Sequence, residues 1–326
     1  MERSIIIIGA GIAGLSTGCY AQMNGYDSQI FEMHSKPGGL CTAWQRNGYT
    51  IDGCIHHLGG AGPNSRFYRV WEELGAVQNR PMIFHDRLVS VKGPDGKTFD
   101  AFTNIDRLEQ HMKELSPADS KVIEEYTNAT RNFTRLDFSA MLLFGPEDMA
   151  ALQSLAGEMA KWGSITMKEY AARFTDPFLR RAFPVIQYGS PGLPAAINLS
   201  FLAGCQDHTL GWPSGGSLEF SKDIERRYTD LGGRAHYRSK VEKILVEGNH
   251  AVGVSLADGT EKRADIVISA ADGFTTIFKM LGGKYVNDEI RAYYAQPPSF
   301  PELNKMDLQV SFGVDRDISN EPPAMA

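Results

Sequence analysis

With 326 residues, the chain is long enough for two ordinary domains, or for one large domain interrupted by a second. At 42% hydrophobic and 22% charged it reads as globular and soluble, and a formal net charge of −6 argues against a nucleic-acid partner, which would need a basic surface. Four cysteines (Cys19, Cys41, Cys54 and Cys205) without C-x-x-C spacing point to reduced thiols in a cytoplasmic protein, not to a disulfide framework.

The stretch from Ile5 to Ala21 carries no charge, which raises the question of an export or membrane segment. Its composition argues against both. Arg3 is offset by Glu2, and Gly9, Gly11, Gly14 and Gly18 break an apolar run already shorter than the roughly 20 residues of a spanning helix. Instead, four β-branched residues, Ile5 to Ile8, predict a parallel strand buried on both faces. They run into Gly9-Ala10-Gly11-Ile12-Ala13-Gly14, a G-x-G-x-x-G, and then a helical pattern from Ile12 to Asn24 that Gly25 ends. In a dinucleotide site Gly9 makes the tight turn, Gly11 admits the pyrophosphate, and Gly14 lets the helix sit close on the strand. The N–H groups at Ile12 and Ala13 open that helix toward the anion. Ser28 to Phe31 reads as a second strand followed by Glu32 and Met33, with Glu32 placed 18 residues beyond Gly14. An acid there binds a ribose hydroxyl. The bland alternative is a glycine-rich turn with a solvated Glu32, but strand, glycines, helix, strand and acid come in the required order.

Next comes Lys36-Pro37-Gly38-Gly39-Leu40-Cys41-Thr42, whose glycine pair allows a second close backbone approach to a long cofactor. Together with Glu32 and Gly48-Tyr49-Thr50-Ile51-Asp52-Gly53, this block resembles the FAD-dependent phytoene desaturase, carotenoid isomerase and retinol saturase-like branch of the flavin amine oxidase superfamily. The resemblance implies an α/β fold with a Rossmann-like FAD-binding domain of the GR2 type, built from discontinuous segments (1–80 and 206–275). It also implies an inserted mixed α+β substrate domain over 81–205 and 276–326. FAD is the cofactor implied, held by Gly9, Gly11, Ile12, Ala13, Gly14, Glu32, Met33, Gly38, Gly39 and Leu40. Family members often carry Arg where this chain has Leu40, so a charged phosphate contact is in doubt there and backbone contacts remain.

The glycine-rich loop 54–64 contains His56 and His57, and in the resemblance it approaches the flavin ring. Adjacent residues of an extended chain point to opposite sides, so the two are poor joint ligands and no metal is expected. One of them could polarise substrate or flavin; the favoured reading is a packing or hydrogen-bonding histidine. Arg87 to Val91 and Thr98 to Ala101 flank Gly93-Pro94-Asp95-Gly96-Lys97, a hairpin signal. From Asn104 to about Tyr170 the pattern is helical. Ser116-Pro117-Ala118-Asp119 reads as one helix start, with Ser116 as cap, and Thr166-Met167-Lys168-Glu169 as a capping box for another. Between them Phe133, Phe138, Met141, Leu142, Leu143 and Phe144 are read as a helical-domain core. A lipid-tunnel wall, or a peripheral membrane face bordered by Arg131 and Arg135, stays open beside that reading.

Gly211-Trp212-Pro213-Ser214-Gly215-Gly216 precedes a predicted helix over Ser217 to Leu231, stopped by Gly232-Gly233. Strands follow at Lys240 to Val246, Ala251 to Leu256 and Asp265 to Ser269. Their order is similar to the superfamily's second cofactor segment, which implies that Val241 touches the adenine through its backbone and that Ala271 closes the strand re-entering the cofactor sheet. Met306 to Val314 reads as one further strand. The family pattern continues with another glycine-rich segment and a helix, so the resemblance implies that this is the larger N-terminal part of a longer protein. No nucleophile elbow, zinc spacing or P-loop lysine suggests another chemical engine. The expected function is FAD-dependent hydride transfer at C–C bonds of a small apolar, isoprenoid-type substrate. A flavin amine oxidase or protoporphyrinogen oxidase relative is the alternative, and a non-catalytic binding protein like the Rab GDP-dissociation inhibitors is a third reading.

Overall fold

A computed structural model describes residues 3–187, 191–295 and 312–317. Contacts divide the chain into two compact units. One holds the chain up to His56, Trp71–Pro81, and Pro213 to the end of the described 191–295 segment; the other holds His57–Val70 and Met82–Trp212.

In the first unit Ser4–Ile8 lies between two parallel neighbours, with Ile7 opposite Ile30 of Asp27–Phe31 and opposite Ile268 of Ile266–Ser269. Arg234–His236 adds a fourth parallel strand beyond Asp27–Phe31. A central parallel strand is covered on both faces, which is why all of Ile5 to Ile8 are buried. On one face Ile6, Ile8 and Phe31 pack with Val241, Val254 and Leu256 of an antiparallel sheet formed by Val241–Glu247, His250–Leu256 and Glu261–Arg263. Helices Ile12–Met23 and Gly216–Asp230 cover the other face. Gly18 makes room there for Tyr228: a Cβ at 18 would stand 2.6 Å from the ring. The Tyr228 hydroxyl in turn donates to the Ser28 carbonyl at 2.8 Å, tying the second helix to the sheet. This is a Rossmann-like α/β fold, as expected. The sequence reading missed three strands of this unit, Arg234–His236, Glu261–Arg263 and Ala43–Arg46; the last pairs with Tyr49–Asp52 across a turn whose Asn47 and Gly48 have φ of 51° and 83°.

The second unit is mixed α+β. Its hairpin, Arg87–Lys92 with Thr98–Phe102, is the one predicted. Helices Ile105–Leu115, Ser120–Phe133 and Ala195–Gln206 bury an aromatic core that includes Tyr126, Phe133, Trp162, Tyr170, Phe174 and Phe183. Thr166 and Glu169 close the expected capping box, Oγ1 accepting from the Glu169 N–H at 3.1 Å and the carboxylate from the Thr166 N–H at 2.8 Å. Two expectations are corrected. Ser116 does not cap an α-helix: its hydroxyl donates to Asp119, Pro117–Asp119 is a 3₁₀ turn, and the α-helix begins at Ser120. The apolar run is core only in part. Phe133 is buried and Phe138 packs on it, but the 3₁₀ helix Phe138–Leu143 deviates at Ala140 and leaves Met141, Leu142 and Leu143 exposed.

The compact units draw their borders differently from the sequence division at 80/81, 205/206 and 275/276. Leu58–Gly59 pairs with Leu210 and Gly211, so both segments fall in the second unit. Thr275–Met280 belongs to the first, where Met280 packs under the antiparallel sheet. Of the strand read over Met306 to Val314, residues 306–311 lie outside the described residues, and 312–314 are not in a strand.

Candidate dinucleotide site

The glycine turn is built as its spacing required. Gly9 has φ 98°, and its N–H donates to the Phe31 carbonyl at 2.9 Å, holding the turn against the neighbouring strand. A Cβ on Gly14 would fall 1.9 Å from the Gly9 carbonyl oxygen, so only glycine lets the helix start this close to the strand end. Gly11 is different. Its φ of −69° suits any residue, and an added Cβ would meet nothing nearer than 3.9 Å. The chain's own packing therefore gives no reason for glycine at 11, whereas a ligand lying against its backbone does. Helix Ile12–Met23 has no side-chain cap at its N-terminus and no acid in its first turn, leaving that end to an anion.

The second glycine segment is stitched to the first. Gly38 N–H donates to the Ala10 carbonyl at 2.8 Å, and Gly11 and Gly38 form a parallel bridge. Gly38 and Gly39 have φ of 109° and 59°, and a Cβ on Gly39 would press to 3.2 Å from the Gly11 Cα. Two runs of bare backbone thus meet at one place, a cradle that side chains would fill.

Glu32 closes the sheet side of this cradle. It is 5% exposed; one carboxylate oxygen accepts the Ala10 N–H at 2.7 Å and the other the His34 N–H at 2.8 Å. Each oxygen keeps a second lone pair for a ligand hydroxyl. The carboxylate also braces the turn itself, a structural duty the sequence reading did not assign. Ala271 follows the Ile266–Ser269 strand next to the Gly9 turn, where a Cβ on Gly9 would come 3.8 Å from the Ala271 N. Val241 is buried at the start of its strand. Ile12 is half-buried and Ala13 exposed, while Met33 and Leu40 are 57% and 91% exposed. Leu40 therefore stands out toward solvent and brings no charged group to the cradle.

Sequence reasoning missed the support behind the second segment. Asp52 ends the Tyr49–Asp52 strand and sits at the N-terminus of helix Gly216–Asp230, where its carboxylate accepts from the Ser217 N–H and, at 2.7 Å, from the Ser217 hydroxyl. That hydroxyl in turn accepts the Ile55 N–H at 2.9 Å. Gly216 leaves the space Asp52 needs, since a Cβ there would stand 2.3 Å from its carboxylate. The signal was present, because Asp52 belongs to the quoted Gly48–Gly53 block, but its partner is distant in sequence.

His56 and His57 are both exposed; they border different units, and the His57 ring stands edge-on to Phe201 at 4.9 Å. All four cysteines are free. Burial pushes the Cys19 and Cys205 thiols up to about 12 and Cys41 up to about 11, so these three stay protonated and are poor nucleophiles at neutral pH. Among the described residues, no three His, Cys, Asp or Glu side chains stand together as a metal site, and no helix is long and apolar enough to cross a membrane.

Comparison with known proteins agrees with this geometry. Residues 7–74 match the family described as NAD(P)-binding Rossmann-like domain. The chain is 28% identical over 302 residues to the lycopene-forming phytoene desaturase of Pseudescherichia vulneris, covering 86% of this chain and 58% of that protein. It is 25% identical over 294 residues to the inactive all-trans-retinol 13,14-reductase of Danio rerio, covering 85% and 48%. An oxidoreductase from Methanosarcina mazei shares the fold with a TM-score of 0.57 at 18% identity, over 89% of this chain and 64% of that one. The likeness to phytoene desaturases and retinol reductases that the motifs implied thus extends over most of the chain. The chain spans less than two thirds of the length of these proteins.

Proposed function

We propose that this chain is the FAD-holding part of an oxidoreductase acting on C–C bonds of a small, apolar, isoprenoid-type substrate. The observation that carries the proposal is Gly11, whose backbone angles are ordinary and whose Cβ would meet nothing nearer than 3.9 Å, set directly beside the bare backbone of Gly38 and Gly39. Gly9 to Gly14 and Gly38–Gly39 would present backbone to the pyrophosphate, with Ile12 and Ala13 at the helix start. Glu32 would accept from a ribose hydroxyl, and the backbone at Val241 would meet the adenine. When bound, the flavin supplies two-electron hydride chemistry that amino-acid side chains cannot. The protein's share is to bind and orient it. The three cysteines with raised thiol pKa values do not serve as nucleophiles, and no acid–base pair is needed for this part of the task.

The substrate class rests on the relatives, whose names concern phytoene and retinol. The second unit, with its large aromatic core, would be the substrate domain. The test is anaerobic mixing of the flavin-loaded full-length protein with a panel of carotenoids, retinoids and amines while flavin absorbance is followed. An isoprenoid should bleach the oxidised flavin or recolour the reduced one. Bleaching by amines alone would overturn this reading in favour of an amine oxidase.

A further inference from the structure

Cys41 and Cys54 flank the hairpin that follows the second glycine segment. The hairpin pairs Ala43 with Asp52 and Trp44 with Ile51. Carried two positions outward, that register sets Cys41 opposite Cys54, with both side chains on one face. Two further contacts draw the same positions together. The Cys41 thiol donates to the Ser217 carbonyl at 3.4 Å, while Ile55 N–H, next to Cys54, donates to the Ser217 hydroxyl at 2.9 Å. The thiols also sense each other. Burial is the first cause holding Cys41 up at about 11; the Ser221 hydroxyl pulls the other way, and the neighbouring Cys54 raises it further through charge and hydrogen bonding.

Directly opposed residues of an antiparallel pair keep their Cα atoms about 4.5–5.5 Å apart, inside the range of about 4.4–6.8 Å that a disulfide spans. The two thiols differ in access. Cys41 is 8% exposed, whereas Cys54 is only half-buried, so an oxidant reaches Cys54 first. The other two cysteines are elsewhere: Cys19 lies buried against the Ile224 carbonyl, and Cys205 belongs to the core of the second unit.

We propose that Cys41 and Cys54 are a redox-modification site, a thiol pair that a peroxide converts reversibly into a disulfide. In the first step the Cys54 sulfur takes one oxygen from hydrogen peroxide, giving a sulfenic acid and one water. In the second the Cys41 sulfur attacks that sulfenic sulfur; the S–O bond breaks, the S–S bond forms, and the hydroxyl leaves as water with the Cys41 proton. Two thiols are thereby oxidised by two electrons, and the peroxide is reduced to two waters. Cys41 is inert toward reagents in solution, but a sulfenic acid held beside it needs no encounter. The bond exchanges the weak thiol contact with the Ser217 carbonyl for a covalent tie. It clamps the end of the Gly38–Gly39 loop, whose Gly38 carbonyl already accepts the Cys41 N–H at 2.9 Å. The pair stands on this hairpin alone and does not depend on what the glycine cradle holds.

The test maps thiols in the full-length protein. Reduced protein, freed of reductant, is treated with dilute hydrogen peroxide, denatured in alkylating agent and digested without reduction. Mass spectrometry should find Cys41 joined to Cys54 within one molecule, lighter by two hydrogens, with Cys19 and Cys205 alkylated; dithiothreitol should undo the link. The oxidised protein should melt several degrees above the reduced one, because the cross-link restricts the unfolded chain. Cys205→Ser should oxidise as the wild type does. Cys41→Ser should leave Cys54 as a sulfenic acid that dimedone captures. Cys54 oxidised in the wild type without a link to Cys41, or both thiols still alkylated after peroxide treatment, would overturn the proposal. So would a link formed only between molecules, or an oxidised protein that melts below the reduced one, since either means that the two sulfurs do not meet in the native fold.

Discussion

Gly11 and Gly14 are three residues apart, and the structure gives them opposite reasons to be glycine. A side chain at 14 would run into the Gly9 carbonyl at 1.9 Å, backbone against backbone, with no flexible neighbour to yield. Gly14→Ala should therefore destabilise the ligand-free protein by about 1–3 kcal/mol, the usual cost of overpacking; chemical unfolding reads this directly, and an unchanged midpoint would refute the close packing. Glu32 has two duties. Because it accepts the Ala10 and His34 N–H groups while 5% exposed, Glu32→Ala should lower ligand-free stability by about 1–3 kcal/mol as well as FAD affinity. An affinity loss with no stability loss would mean that the brace contributes nothing. The sequence made the glycines readable because their spacing encodes steric demands at fixed places in a strand–turn–helix. It could not reveal the second duty of Glu32, since a carboxylate's partners depend on where the turn folds back.

At the scale of elements, the most consequential contact is Asp52 at the start of helix Gly216–Asp230. The two residues it joins lie 165 positions apart, which is why no local pattern exposed the pairing. A carboxylate at a helix N-terminus satisfies free N–H groups and meets the favourable end of the helix dipole. Asp52→Ala should cost about 1–2 kcal/mol in urea unfolding, comparable to the loss of a cap. Recovery of most of that stability by Asp52→Asn would identify the contact as hydrogen bonding more than charge. The local signals fared better where a single turn decides: the Thr166–Glu169 box and the 87–102 hairpin need only neighbours in sequence. Ser116 failed because the same serine, proline and acid suit a 3₁₀ turn equally well. Met141, Leu142 and Leu143 failed for another reason. Apolarity predicts that a residue should be buried, not which side of a kinked, two-turn 3₁₀ helix will be.

For the molecule as a whole, mild acid should be destabilising, and the histidines set the window. Burial holds the imidazoles of His85, His111 and His236 below their usual value. The unfolded chain then takes up these protons more readily than the folded one, so stability is complete above about pH 6.5 and is lost as pH falls below it. His111 also accepts the Asp100 N–H at 3.0 Å through Nε2, a role only the neutral ring can fill. Carboxylates come in lower down. Burial alone would raise Glu109, but hydrogen bonds from Lys113 and Arg131 outweigh it and hold it at about 2, so its contribution is lost only in stronger acid. The melting temperature should fall between pH 7.5 and 5.5, and by less in His111→Gln than in wild type; equal falls would remove His111 from the account.

The central claim is that the bare backbone of Gly11, Gly38 and Gly39 forms a flavin dinucleotide site, and the most direct measurement is FAD binding by Gly11→Val beside wild type, with circular dichroism recorded on both. A Cβ at position 11 would meet only ordinary contacts, none nearer than 3.9 Å, so the variant should fold as the wild type does. That side chain would occupy the room the pyrophosphate needs, so flavin content on purification and affinity in titration should both collapse while the spectra coincide. Equal flavin occupancy in the two proteins would contradict the assignment of this loop.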